Sequence, residues 1–281
     1  MTERAHADVG RTSPYIVRLA SVMWETSSVL LIAGDEAVAL DPGISQDEID
    51  RVAQNAERAG ARVVAVLATH ADLDHVAGIG SFPDAQAAMG PRAAAKVERG
   101  DALADMQGEG AQFGLSWPVA PSCDRVLRTG RSEQVGPFAI ETMELAGHTD
   151  CGVGYRLRDP DVLLVGDHLS PIEYPFVYHS TSAYRSTLAG LIDLLEHDPP
   201  ALVIPGHGDA LDPAAARAIA ISDLAYLHEL RRAVARALAG GAGREGALDA
   251  ALAVPPPRSL PIDAPEARRN AERQYEELVA C

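Results

Sequence analysis

Residues able to ligate a metal crowd into one short stretch, His70-Ala71-Asp72-Leu73-Asp74-His75, at the end of the apolar run Val63–Leu67. Imidazole and carboxylate are ordinary ligands of divalent metals, and a chain reversal after a buried strand can aim all four groups at one point. The stretch reads as half of a metal site. Downstream, Gly147-His148-Thr149, Gly166-Asp167-His168 and Pro205-Gly206-His207-Gly208 each set a His or Asp beside glycine after an apolar run, at 139–145, 162–165 and 202–204 respectively. Strand ends are where such scaffolds carry their functional loops, so these sets read as the other half.

The elements that must position these groups can be followed along the chain. Residues 15–20 and 28–32 read as strands, and Gly34-Asp35-Glu36 as a hairpin turn into 37–40. Asp41-Pro42-Gly43 ends this meander, and by itself is ordinary turn chemistry. Residues 45–59 predict an amphipathic helix stopped by Gly60. The run 63–67 is apolar without alternation, which predicts a strand covered on both faces. A helix is predicted to begin at Val76, with its N-terminal dipole favouring the carboxylate of Asp74. A short strand over 87–89 and a helix over 91–99 with proline at its first position follow. Residues 100–121, with Phe113 and Trp117, read as an irregular insertion, either a cap at the site mouth or a surface loop pinned by two aromatics. Segments 125–128 with 138–145, and 153–157 with 162–165, read as two hairpin-like pairs. Helices are predicted over 182–196, 213–239 and 264–280, and Pro255-Pro256-Pro257 is a stiff spacer.

Composition narrows the partners. The chain has 281 residues, 47% of them hydrophobic, enough for a sizeable core, and a formal net charge of -16. That charge repels nucleic acid and anionic membrane, so a small-molecule substrate is expected. Three cysteines, Cys123, Cys151 and Cys281, are too few and scattered for a disulfide framework. No apolar leader and no run of membrane-spanning length is present, so the expected location is the cytoplasm. The alanine-rich C-terminal helices are a possible homodimer surface.

The set His70-x-Asp72-x-Asp74-His75, then His148, Asp167 and His207, resembles the metallo-β-lactamase fold superfamily in order and spacing, from about Val29 to about Ala218. The family pattern has histidine where this chain has Asp72. The resemblance implies an αββα sandwich, two mixed sheets with helices outside, as one domain over 14–240 after a flexible N-terminus (1–13) and before a C-terminal helical extension (241–281). It also implies two divalent metal ions, zinc in the first instance. One would take His70, Asp72 and His148, the other Asp74, His75 and His207, with Asp167 bridging and a hydroxide between the ions as nucleophile. On this pattern Asp74 and Asp167 are the catalytic carboxylates, and Asp41 stands behind the ligands and holds their loop. Asp72 as a third carboxylate tilts preference toward iron or manganese; alternatively it ligates zinc, or points away.

The motifs resemble glyoxalase II-like and lactonase-like members more than nucleic-acid-processing ones, which implies hydrolysis of a small ester, thioester or lactone. The flavodiiron proteins carry a carboxylate at the same motif position, which makes a di-iron oxidoreductase or oxygenase the alternative. Tyr174, Tyr178, His179 and Tyr184 lie in a segment that lines the pocket in such relatives, where a tyrosine can donate to a carbonyl oxygen or simply pack. His168 either contacts substrate or points away. Cys151 reads as a buried, inert thiol.

Overall fold

The computed structural model describes residues 13–258 and 265–280. The flexible segment expected over 1–13 therefore falls, apart from Ser13, outside the described residues, as does Cys281. Strands β1 (Tyr15–Ala20), β2 (Ser27–Ala33), β3 (Glu36–Leu40), β4 (Arg62–Ala68), β5 (Gln86–Met89) and β6 (Arg125–Val126) lie in chain order in one sheet. Its first two pairings are antiparallel and the rest parallel. A second sheet has the order β11 (Leu202–Ile204), β10 (Asp161–Leu164), β9 (Val153–Arg158), β8 (Phe138–Glu144), β7 (Arg131–Val135).

The strands of the first sheet show why near-continuous apolar runs were needed. Val29, Leu31, Val38, Leu40, Ala65 and Leu67 face the second sheet and pack with Phe138, Ile140, Tyr155, Leu157 and Leu164. Their alternates Leu30, Ile32, Ala37, Ala39, Val66 and Ala68 face the outside helices, so each strand buries both faces. On that outer face lie α1 (Gln46–Arg58), α2 (Leu73–Val76), α3 (Pro91–Arg99) and α4 (Asp101–Gln112). The outer face of the second sheet carries α5 (Thr181–His197), α6 (Pro213–Ala239), α7 (Arg244–Leu252) and α8 (Glu266–Val279) over a separate core built on Tyr184, Leu188, Val203, Leu227 and Leu248. The result is a four-layer αββα sandwich. None of its described helices is long and apolar enough to cross a membrane.

Three local expectations are corrected. Residues 101–112 are helical: Ala102, Met106 and Gly110 form a buried stripe, and Gly110, though it lowers helix propensity, leaves room for Trp117, where a Cβ would lie 2.5 Å from its ring. Residues 125–126 pair with β5 in the first sheet, whereas the hairpin partner of β8 is β7, joined through Gly136 at φ 52°. The helix expected from Val76 starts at Leu73 with Asp72 as its N-cap residue, which puts Asp74 and His75 inside that short turn.

Candidate metal centre

The carboxyl ends of β4, β8, β10 and β11 meet at one edge of the sandwich. There Val153 N donates to Thr69 O at 2.8 Å and the Tyr155 hydroxyl to Ala68 O at 2.7 Å, tying the two sheets together. The loops leaving these ends bring seven side chains to one point. Asp72 Oδ2 lies 3.6 Å from His70 Nε2 and 3.4 Å from His148 Nε2. Asp74 Oδ2 lies 3.3 Å from His75 Nε2 and 3.4 Å from His207 Nε2. Asp167 stands between the two groups: Oδ2 is 3.2 Å from His148 Nε2, 3.2 Å from His207 Nε2 and 3.7 Å from His70 Nε2, and Oδ1 is 3.0 Å from His75 Nε2. Asp72 faces the centre from the cavity side, its side chain partly exposed there.

Backbone and carboxylate acceptors fix three of the imidazoles from behind. His75 Nδ1 is 2.9 Å from Asp41 Oδ2, His148 Nδ1 2.9 Å from Phe176 O, and His207 Nδ1 2.9 Å from Trp24 O. A carbonyl or carboxylate only accepts, so each Nδ1 carries the proton and each Nε2 lone pair is turned into the centre. Asp41 also accepts from Thr69 N and Thr69 Oγ1, both at 2.8 Å, which locks the residue preceding His70. The chain holds Asp41 at φ 46°, a conformation short polar residues tolerate better than most, and the geometry persists because three donors converge on its carboxylate. Glycine is required beside two ligands. A Cβ on Gly206 would lie 2.3 Å from Asp167 Oδ1, and one on Gly147, at φ 138°, 2.4 Å from Tyr184 Cα.

Whether a metal fits can be tested on these atoms. The Nε2 atoms of His70, His75 and His148 and Oδ1 of Asp167 are buried and make no hydrogen bond among the described residues, an arrangement costly for polar groups with nothing to bind. Ligand bonds of roughly 2.0–2.2 Å meeting at about 90–110° put neighbouring donors about 2.8–3.6 Å apart, close to the separations above. The donors divide into His70, Asp72, His148 and Asp74, His75, His207, with a third grouping of His70, His75 and Asp167 across the middle. The residues fit a pair of metal ions.

The electrostatics point the same way. Burial opposes ionisation of Asp167, but the surrounding imidazoles outweigh it and hold the carboxyl well below the usual range. Asp74 is likewise lowered, burial being overcome by His75 and His207. Burial also works against imidazolium at His207, yet Asp167, Asp74 and Glu173 raise it to about 10. His75 and His148 are raised too, whereas burial and the neighbouring His75 push His70 down to about 4. Three carboxylates in a buried cluster thus demand positive charge.

The centre opens into a cavity of about 550 Å³. Tyr178 and His179, expected at the substrate, line it, and the Tyr178 ring lies 4.9 Å from that of His148. For two other candidates, His168 and Tyr184, the substrate-contacting alternative is corrected in favour of the packing one. His168 is buried and stacked against Tyr184, and Tyr184 is buried beneath the centre, where its hydroxyl donates to the Asp167 carbonyl at 3.0 Å. Tyr184 is placed there by α5, and the His168 ring turns onto Tyr184 and away from the centre, so neither lines the cavity. Tyr174 packs edge-on against Phe176 and Tyr226, and Cys151 is a buried thiol that desolvation raises, consistent with an inert role. Sequence reasoning missed Trp24, Lys96, Asp105, Glu109, Glu173 and Arg269 on the cavity wall. The i, i+4 spacing of Asp105 and Glu109 marks one helix face, but which face meets the cavity depends on packing. Arg269 comes from α8 and lies over the Tyr178 ring at 4.4 Å.

Comparison with known proteins gives concordant results. The sequence profile described as the metallo-beta-lactamase superfamily matches residues 23–207. The chain is 26% identical over 203 residues to the probable metallo-hydrolase YqgX of Bacillus subtilis (strain 168), covering 67% of this chain and 87% of that protein. Among solved structures it resembles the metallo-beta-lactamase family protein TTHA1429 from Thermus thermophilus, with TM-score 0.68 at 19% identity over 95% of this chain and 93% of the other. It also resembles TTHA1623, solved in a di-iron-bound form, with TM-score 0.56 at 22% identity over 71% of this chain and 96% of the other.

Proposed function

The chain belongs to the metallo-β-lactamase superfamily, and from that premise we propose that it is a dinuclear metal-dependent hydrolase of a small ester, thioester or lactone. The observation that carries this reading is the gathering of four imidazoles and two further carboxylates around Asp167, with buried donor atoms left without hydrogen-bond partners among the described residues. His70, Asp72 and His148 would hold one ion and Asp74, His75 and His207 the other, with Asp167 shared. Two divalent cations bound there supply Lewis acidity, lowering the pKa of a water toward neutrality and polarising a substrate oxygen.

The chain's own groups do the rest. Asp74 and Asp167 stay ionised, so they can accept hydrogen bonds from a water entering the centre. Burial raises the Tyr178 phenol, so it keeps its proton and can donate it to a carbonyl oxygen beside His148. A cavity of about 550 Å³ suits a small molecule. A panel of esters, thioesters and lactones tests the reading: at least one should be hydrolysed, with the activity lost on chelation and restored by metal. If the metal-loaded protein leaves every member intact, the hydrolase reading is wrong.

A second reading, a di-iron oxidoreductase or oxygenase, is favoured by Asp72, whose carboxylate faces the centre where the superfamily pattern has imidazole. Carboxylate is the harder ligand and tilts selectivity from zinc toward iron or manganese. The di-iron form of TTHA1623 supports keeping iron in view. Asp72→His is expected to move metal content toward zinc, read by elemental analysis of protein purified without added metal. Unchanged content would remove the argument from ligand hardness, while iron-rich, oxygen-consuming wild-type protein would favour this second reading.

A further inference from the structure

We propose that Asn270, on the C-terminal helix α8, is a positioning residue for the metal ligand His148. This inference rests on the metal-centre reading above. His148 Nδ1 is oriented by the carbonyl of Phe176, a loop residue with no regular secondary structure of its own to hold that carbonyl in place. Asn270 holds it from both sides. Its Oδ1 accepts from Val177 N at 2.8 Å and its Nδ2 donates to Pro175 O at 2.7 Å, bracketing the Phe176 peptide. The side chain is wholly buried, and a third contact, Nδ2 to the Tyr226 hydroxyl at 3.4 Å, completes its satisfaction.

The same loop is tied back to the ligand's own backbone, since Tyr178 N and His179 N donate to His148 O at 2.9 and 3.0 Å. Further along α8, Glu277 accepts from Ser180 Oγ and from Ser182 N, fixing the far end of the segment at the start of α5. The chain from Pro175 to Ser182 is therefore a strap between His148 and α8. An amide is the group that can brace it, because a single side chain must supply one acceptor and one donor to backbone groups two residues apart. Outer partners of this kind set the ring orientation of a ligand and change metal affinity when removed.

The consequence is selective. Asn270 supports His148, and its hydrogen bonds among the described residues go to Val177, Pro175 and Tyr226 rather than to the loop carrying His207, whose Nδ1 is held by Trp24 O. Titration of chelator-stripped protein with zinc against a chromophoric competitor should resolve two binding steps, assigned with His148→Ala and His207→Ala. In Asn270→Ala the step lost in His148→Ala should weaken about 10–100-fold while the other stays within about threefold. Asn270→Ser, whose short hydroxyl cannot reach both backbone groups, should show the same pattern if the alanine variant folds poorly. Tyr226→Phe, which removes the third contact and leaves both loop bonds, should change neither step. Equal weakening of both steps, or neither moving, would overturn the role assigned to Asn270. A wild-type protein that binds no metal would instead overturn the metal-centre reading itself.

Discussion

Asp167→Ala is expected to empty the centre of metal and to cut turnover by on the order of a thousandfold or more. The side chain lies within 3.7 Å of the Nε2 atoms of His70, His75, His148 and His207, so its loss would remove a donor from both halves of the proposed site at once. On the dinuclear reading it would also remove the anion that offsets two cations held close together. Asp167→Asn refines the test, since the amide preserves shape but not charge and should also lose metal. Elemental analysis gives moles of zinc, iron and manganese per chain, to be read beside kcat. Retention of both metals and of turnover in Asp167→Ala would mean the two half-sites do not share this carboxylate.

Stripping the metal should lower Tm by about 10 °C. A ligand at about a thousand times its Kd contributes about 4 kcal/mol to the folded state, and a domain of this size shifts by roughly 2–4 °C per kcal/mol. The gap should widen with pH, for a reason that can be signed. In the stripped protein His207 is raised to about 10, and His75 and His148 are raised as well, because carboxylates outweigh burial. A histidine raised on folding contributes stability that is complete below its unfolded pKa of about 6.5 and is lost as pH climbs through the folded value. The stripped protein therefore weakens from about pH 6.5 upward, while metal, which competes with those protons, binds more tightly. Thermal scans at pH 6 and pH 8.5, with and without chelator, check this. A gap that narrows with pH would mean that protons and metal do not share these nitrogens.

Ligand types and strand ends could be read from the chain because both are local. A cluster of His and Asp, or a single one beside glycine, after an apolar run is a statement about neighbouring residues, and the seven groups marked in these two ways are those the fold brings together. Buried strands such as Val63–Leu67 were legible for the same reason: a run apolar on both alternating faces must be covered on both. The helix over 101–112 was not legible, since Gly110 is accommodated by Trp117, a residue beyond the helix. Nor was the pairing of β6, because strand partnership is decided by which backbone lies alongside and not by hydrophobic pattern.

The sequence alone thus determined the chemistry available: imidazoles and carboxylates, their order, the unusual Asp72, and a sandwich built from buried strands. Direction and distance belonged to the tertiary structure. Only packing turned Asp72 inward and His168 and Tyr184 away from the cavity. Only packing set Arg269 over Tyr178 and placed Asn270 behind the carbonyl that orients His148. The physical reason is that a side chain's type is written in one residue, whereas its orientation is set by hydrogen bonds and contacts with segments up to a hundred or more residues away.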